Sequence, residues 1–165
     1  MTEKNSMERS DEEFARVVGQ YRAVIYKVCS MYADSGDELA DYFQEVLVNM
    51  WRGWRSFRGE CALSTWVYRV ALYTCVSFVR RKSSRPRSVP LPVDLGIEAE
   101  AERAPMLREL YRLIGRLNRF DRALILLWLE ERPYAEIAEI MGISKANVAV
   151  KILRIKERLK RMSEE

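Results

Sequence analysis

The stretch MGISKANVAVKILRIKERLK, residues 141–160, carries Lys145, Lys151, Arg154, Lys156, Arg158 and Lys160 against a single acid, Glu157. At 3.6 residues per turn, Val148, Ile152, Ile155 and Leu159 share one helical face. Ala146, Val150, Leu153 and Arg154 then point the other way, with Asn147, Ala149 and Lys151 on the flanks. Cations so spaced suit the phosphates of a nucleic-acid backbone, which give affinity without sequence information. Asn147 offers the donor and acceptor that an adenine edge requires, while Ala146, Ala149 and Val150 let a helix come close and touch thymine methyls. A solvated helix in an ordinary bundle would show the same charge run, but has no need of small apolar side chains at its front. With Ser144 at the cap, the set placed on duplex DNA is Ser144, Lys145, Ala146, Asn147, Ala149, Val150, Lys151 and Arg154.

Two further groups occur in the first half. Asp41, Gln44 and Glu45 fall on one helical face, opposite Val46 and Met50; taken alone, that is an ordinary solvated face. The runs WRGWRSFRG and TWVYRVALYTCVSFVRR interleave aromatic rings with guanidiniums. Phe57, Trp66, Tyr68 and Tyr73 stand near Arg58, Arg69, Arg80 and Arg81, whereas Trp51 and Trp54 read as core. Stacking platforms beside cations are what single-stranded nucleic acid uses. A helical bundle needs buried aromatics too, and these residues by themselves leave both uses open.

Other chemistries are excluded or disfavoured. The chain has no histidine, and its three cysteines, Cys29, Cys61 and Cys75, form no CxxC pair. That argues against a zinc site and a Cys–His nucleophile, leaving the thiols as small reduced hydrophobes. No glycine precedes lysine and no GxGxxG occurs, so a phosphate-binding loop for nucleotide hydrolysis is missing. No enzyme, metal or cofactor is expected. The polar N-terminus MTEKNSMERSDEEF has no apolar secretory core, and the longest apolar run, Ala123 to Leu129, is too short to span a bilayer. A cytoplasmic protein without membrane insertion is the expectation.

The elements that must position these residues are helical throughout. Ser10-x-x-Glu13 reads as a capping box, followed by the stripe Phe14, Val17, Val18, Tyr21, Val24, Ile25 and Val28. Leu39, Phe43, Val46, Leu47, Met50 and Trp51 make a second stripe, and SFRGECAL a loop. Ser64 is placed to cap a third helix running to about Lys82. The segment RKSSRPRSVPLPVDLG holds three of the five prolines and no periodicity, hence a linker. Residues 83–104 can span roughly 70–80 Å at full stretch. Met106, Leu107, Leu110, Leu113, Ile114 and Leu117 form the next stripe, and Leu124–Leu129 a buried helix. Pro133 then begins a helix that Gly142 ends, before the basic helix capped by Ser144: a helix-turn-helix. The expected fold is all-α, with two small helical domains on a flexible tether.

In combination, these features resemble the extracytoplasmic-function (ECF) sigma factors of the sigma-70 family. DYFQEVLVNMWRGWRSFRGECALSTWVYRVAL is similar to the family's second region, and YAEIAEIMGISKANVAVKILRIKERLK to its fourth. The resemblance implies a second-region domain over 10–82, a linker over 83–104 and a fourth-region domain over 105–162. It implies that Asp41, Gln44 and Glu45 dock on the clamp helices of the largest RNA polymerase subunit. It also implies that residues 57–63 and the start of the next helix capture unstacked bases of the −10 element. Phe57, Arg58, Trp66, Tyr68, Arg69, Tyr73, Arg80 and Arg81 are the residues expected to take part. The fourth region would read the −35 element and contact the polymerase flap. Expected partners are core polymerase, promoter DNA and, as is common in the family, an anti-sigma protein. Leu72, Tyr73 and Ser77 depart from the family's R-N-x-x-x-D pattern in the third helix, and Asn147, Val148, Ala149, Val150 and Lys151 stand where many relatives have T-V-K-S-R. No −10 or −35 base preference is therefore carried over. The competing readings are a stand-alone helix-turn-helix regulator, which has no use for the D-x-x-Q-E face, and a helical adaptor, which has none for the basic helix.

Overall fold

The computed structural model describes residues 11–81 and 104–165. Ser10, Lys82 and all of the expected linker except Ala104 lie outside them. Among the described residues there are seven α-helices and no strand. The first half contains α1 (Asp11–Tyr32), α2 (Gly36–Trp54) and α3 (Leu63–Arg81); the second contains α4 (Ala104–Gly115), α5 (Arg119–Leu129), α6 (Tyr134–Met141) and α7 (Lys145–Ser163).

α1 opens on Asp11, Glu12 and Glu13, whose charges oppose the positive end of the helix dipole. α2 starts with a device that its Ser35-x-x-Glu38 spacing encodes. The Ser35 side chain accepts the Glu38 N–H at 3.1 Å, and the Glu38 carboxylate accepts the Asp34 N–H at 2.6 Å and the Tyr42 hydroxyl at 2.9 Å. This explains how Glu38 can be buried. Each of α1, α2 and α3 packs on the other two. Their shared core holds Ile25, Val28 and Cys29, then Tyr42, Val46 and Met50, then Val67, Ala71, Leu72 and Cys75. The buried line on α2 therefore passes through Tyr42 at its centre, with Phe43 at the edge and Trp51 exposed. The Tyr42 hydroxyl can enter the core because Glu38 satisfies it.

The start of α3 differs from expectation. The Trp66 N–H bonds the Ala62 carbonyl, so Ala62 occupies the cap position and Ser64 lies inside the first turn. Met106, placed on an apolar stripe by its spacing, is 81% exposed. It sits in the first turn of α4 beside exposed Pro105, Arg108 and Glu109, while burial on that helix begins with Leu113 and Ile114.

α4, α5, α6 and α7 make the second bundle, around Ile114, Leu117, Leu124, Leu127, Ile137, Val148 and Ile152. Its two tight turns differ in an instructive way. Gly142 ends α6 at φ 68°, and the Ala138 carbonyl accepts both the Gly142 and Ile143 N–H groups. α5 ends in the same style, with Glu131 N–H on the Trp128 carbonyl and Arg132 N–H on that of Leu127. There the left-handed residue is Glu131 at φ 57°, not a glycine. A Cβ on left-handed backbone costs about 1 kcal/mol. Glu131→Gly is thus expected to raise stability by about 1 kcal/mol, and Gly142→Ala to lower it by a similar amount, with opposite shifts of the thermal midpoint in calorimetry. Nothing lies within 4 Å of a Cβ added at Gly142, so backbone strain alone should set that loss.

The halves are in contact. α3 packs against α5 and α6, and α1 against α5.

Candidate nucleic-acid interface

The last helix presents its residues as its sequence period requires. Val148, Ile152, Ile155 and Leu159 are buried against α5 and α6, which turns Lys145, Ala146, Asn147, Ala149, Val150, Leu153 and Arg154 to solvent. The Ser144 hydroxyl accepts the Asn147 N–H at 3.1 Å and caps the helix. Ser144 is therefore committed to the cap through one lone pair and remains exposed. Lys151 is half-buried, its ammonium 5.5 Å from the centre of the Phe120 ring, and Lys156 lies 4.7 Å from that of Trp128. Both lysines thus pack their stems on α5 while keeping their charge on the surface. Leu153, 57% exposed, and Val150, 46% exposed, give the outward face an apolar centre flanked by cations.

On α2, Asp41 and Gln44 are exposed and Glu45 half-buried, on the side of the helix turned away from Tyr42, Val46 and Met50 in the core. The three polar side chains form a continuous patch on the outside of the first bundle.

The loop of residues 55–62 and the front of α3 hold an aromatic cluster. Phe57 stacks on Trp66 with ring centres 5.1 Å apart, Trp66 meets Trp54 at 6.0 Å, and Trp54 meets Phe14 at 6.0 Å. A Cβ at Gly53 would sit 3.2 Å from the Trp66 ring, so the glycine lets that ring lie on α2. Phe57 and Trp66 are both half-buried: they support the loop on one side and offer an edge on the other. Gly59 at φ 72° turns the chain back, and exposed Arg58 sits just before it. Further along α3, Arg69 is exposed and Tyr73 is 77% exposed. The Arg80 and Arg81 side chains lie outside the described residues.

Tyr68 behaves differently. It is 1% exposed, its hydroxyl accepts from Arg132 at 3.4 Å, and the Arg132 guanidinium lies 4.8 Å above its ring. Burial, partly opposed by Arg132, pushes its phenol above the usual range. In this arrangement Tyr68 offers no face to a nucleic acid. Sequence reasoning placed it with the stacking residues because no local pattern signals that an arginine from the other half covers it.

Two of the three thiols are shielded from solvent in this fold. Cys29 and Cys75 are buried, with sulfurs 3.8 Å apart, and the hydrogen bond between them, aided by burial, holds the Cys75 thiol well above its ordinary pKa. Among the described residues, no group of three or more His, Cys, Asp or Glu side chains could hold a metal ion. Nor is any helix there long and apolar enough to cross a membrane.

Comparison with known proteins places both halves of the chain in one family. The Sigma-70 region 2 family model matches residues 17–85, and the Sigma-70 region 4 model matches residues 107–159. The chain is similar to the ECF RNA polymerase sigma-E factor of Escherichia coli (strain K12), 28% identical over 92% of this chain and 87% of that protein. The sigma-E factor of Haemophilus influenzae is also 28% identical, over 87% of this chain and 84% of that protein. Two solved structures share the fold. CnrH in complex with the cytosolic domain of CnrY gives a TM-score of 0.70 at 17% identity, covering 96% of this chain and 92% of that one. The sigma factor RpoE in complex with the anti-sigma factor NepR from Bartonella quintana gives 0.75 at 16% identity, covering 93% and 98%. The chain belongs to the ECF subfamily of the sigma-70 family of RNA polymerase sigma factors.

Proposed function

We propose that this sigma factor acts in the cytoplasm, binding core RNA polymerase through the Asp41–Gln44–Glu45 patch and reading a promoter at two separate places. The unit comprising residues 10–82 engages polymerase and the single-stranded −10 element. Phe57, Arg58, Trp66, Arg69 and Tyr73 form the reading edge, joined by Arg80, Arg81 and, once uncovered, Tyr68. The unit comprising residues 105–162 lays α7 in the major groove of the −35 element. Lys145, Lys151 and Arg154 hold phosphates there, Asn147 reaches a base edge, and Ala146, Ala149 and Val150 allow close approach. Residues 83–104 let the two units occupy elements a promoter's length apart.

The observation that carries this reading is the pairing of an outward α7 face, apolar at its centre and basic around it, with a separate acidic patch on α2. A stand-alone regulator needs only the first. Strand opening without a nucleotide-hydrolysis site must draw on binding energy. A captured base stacked on an aromatic ring contributes roughly 1–3 kcal/mol. Because Phe57 and Trp66 already stack on each other, the pair is rigid before DNA arrives, which lowers the ordering cost of capture. Relatives of this fold are held by anti-sigma factors, and a protein of that kind is a further proposed partner.

The direct test is gel filtration of the chain with bacterial core polymerase, followed by run-off transcription from fragmented genomic DNA. Co-elution with discrete new transcripts is expected. A specific shift of duplex DNA by the chain alone, with no polymerase association, would instead identify a stand-alone regulator.

A further inference from the structure

The cations of α7 continue past the proposed reading face. Arg158 and Arg161 follow Arg154 at steps of four and three residues, on the side of the helix that begins with Asn147 and Lys151. Each step climbs about 4.5–6 Å, so the row from Asn147 to Arg161 is about 21 Å long. Arg154, Arg158 and Arg161 are all exposed.

A further arginine joins that row from another element. Arg116 lies in the turn between α4 and α5, where its N–H bonds the Leu113 carbonyl at 3.0 Å and the Leu117 N–H bonds that of Ile114 at 3.0 Å. Leu113, Ile114 and Leu117 are buried, which pins the turn and leaves Arg116 exposed. Arg116, Arg158 and Arg161 line one groove of about 570 Å³ together with Met162 and Glu165. Met162 is half-buried and packs on the core. Among the described residues, none of the three arginines forms an ion pair. Glu109, whose carboxylate feels the Arg116 charge, is held by Arg112 through hydrogen bonds of 2.7 and 2.9 Å.

This groove is poorly suited to a protein partner. Protein interfaces draw their energy from aromatic or aliphatic anchors seated in pockets, and here Met162 is the one apolar side chain on the lining. Guanidiniums do suit phosphates, which they bind through paired N–H donors. A row of them continuous with the −35 face matches a polyanion whose charges are regularly spaced.

Resting on the −35 assignment above, we propose that Arg116, Arg158 and Arg161 form a second duplex contact, a grip on the phosphate backbone just outside the −35 element. It adds affinity and orientation without reading bases. The α4–α5 turn thereby takes part in DNA binding beside the helix-turn-helix.

The test uses holoenzyme on a promoter duplex recovered by the run-off assay. One variant combines Arg116→Gln, Arg158→Gln and Arg161→Gln; another carries Lys at the same positions. Removing three phosphate contacts should flatten the dependence of log K on log salt by about 2.7. Between 50 and 200 mM salt, wild type should therefore lose about 40-fold more affinity than the Gln variant. The Lys variant should keep most of the slope, because the charge remains. Uncharged methylphosphonate linkages placed beyond each edge of the element locate the contact: at one edge they should weaken wild type and leave the Gln variant unaffected. An unchanged slope for the Gln variant would overturn the proposal. So would neutral linkages that weaken wild type and variant alike at both edges. Failure of the Gln variant to form holoenzyme would overturn it too, by identifying the arginines as a protein-docking surface. Arg154→Ala, run alongside, separates the two claims. If it flattens the slope and the Gln variant does not, only the grip is wrong; if neither does, the −35 assignment itself has failed.

Discussion

Asp41→Arg and Glu45→Arg are each expected to abolish co-elution with core polymerase while leaving the folded chain intact. The reasoning begins with burial. α2 commits Tyr42, Val46, Met50 and Trp54 to the core, leaving Asp41 and Gln44 fully on the outside and Glu45 at the margin. Substitution at such positions usually changes stability by no more than about 0.5 kcal/mol. Reversing a charge at a desolvated protein interface, in contrast, removes one favourable pair and installs a repulsive one, at a cost of about 2–5 kcal/mol. That is sufficient to lose a complex on a sizing column. Gln44→Ala should weaken association less, because only a neutral hydrogen bond is lost. The result to watch is circular dichroism and the melting midpoint alongside elution. If Asp41→Arg keeps its helicity and still travels with polymerase, this patch is not the docking surface.

The second large effect concerns duplex binding. Arg154→Ala should lower affinity for promoter duplex and flatten the dependence of log K on log salt by about 0.9, the slope associated with one released counterion. Lys151→Ala should do the same to a smaller extent, because its ammonium also rests on Phe120 and its stem helps join α7 to α5. A modest drop in melting midpoint is therefore expected for Lys151→Ala and not for the exposed Arg154. Asn147→Ala should act differently. Loss of a base contact costs about 1–3 kcal/mol on the preferred sequence and leaves the salt slope unchanged. Its backbone N–H still bonds Ser144, so the helix cap survives the change. Titrations on a matched and a scrambled duplex at several salt concentrations separate the two classes. An unchanged slope for Arg154→Ala would remove it from the phosphate set.

The mildly basic total charge does not itself make these interfaces. The formal net charge is +4, from 28 basic and 24 acidic residues. What matters is segregation: the acids of α2 lie on one bundle and the cations of α7 on the other, so each can attract a partner of opposite sign. Docking of the halves leaves both patches at the surface while enclosing part of α3.

Much of this was legible along the chain, wherever the deciding interaction is local. Ser144 at the cap, Gly142 in the left-handed turn and the buried line Val148–Ile152–Ile155–Leu159 follow from contacts within a few residues, and a helical period encodes which face of α7 remains outside. The α2 patch was readable for the same reason. Ser35-x-x-Glu38 carried an equally local signal. Other features depended on distance in space. Periodicity showed that α3 had an inward face but not what would lie against it, so Tyr68 was grouped with Tyr73 although one is buried and the other 77% exposed. Phe57 and Trp66 were seen as aromatic but not as stacked on each other. The contact between the halves joins Lys27 to Glu130 and Tyr68 to Arg132, pairs separated by 103 and 64 residues. Charge and ring pairs of that kind have no period, and only the folded chain brings them within reach.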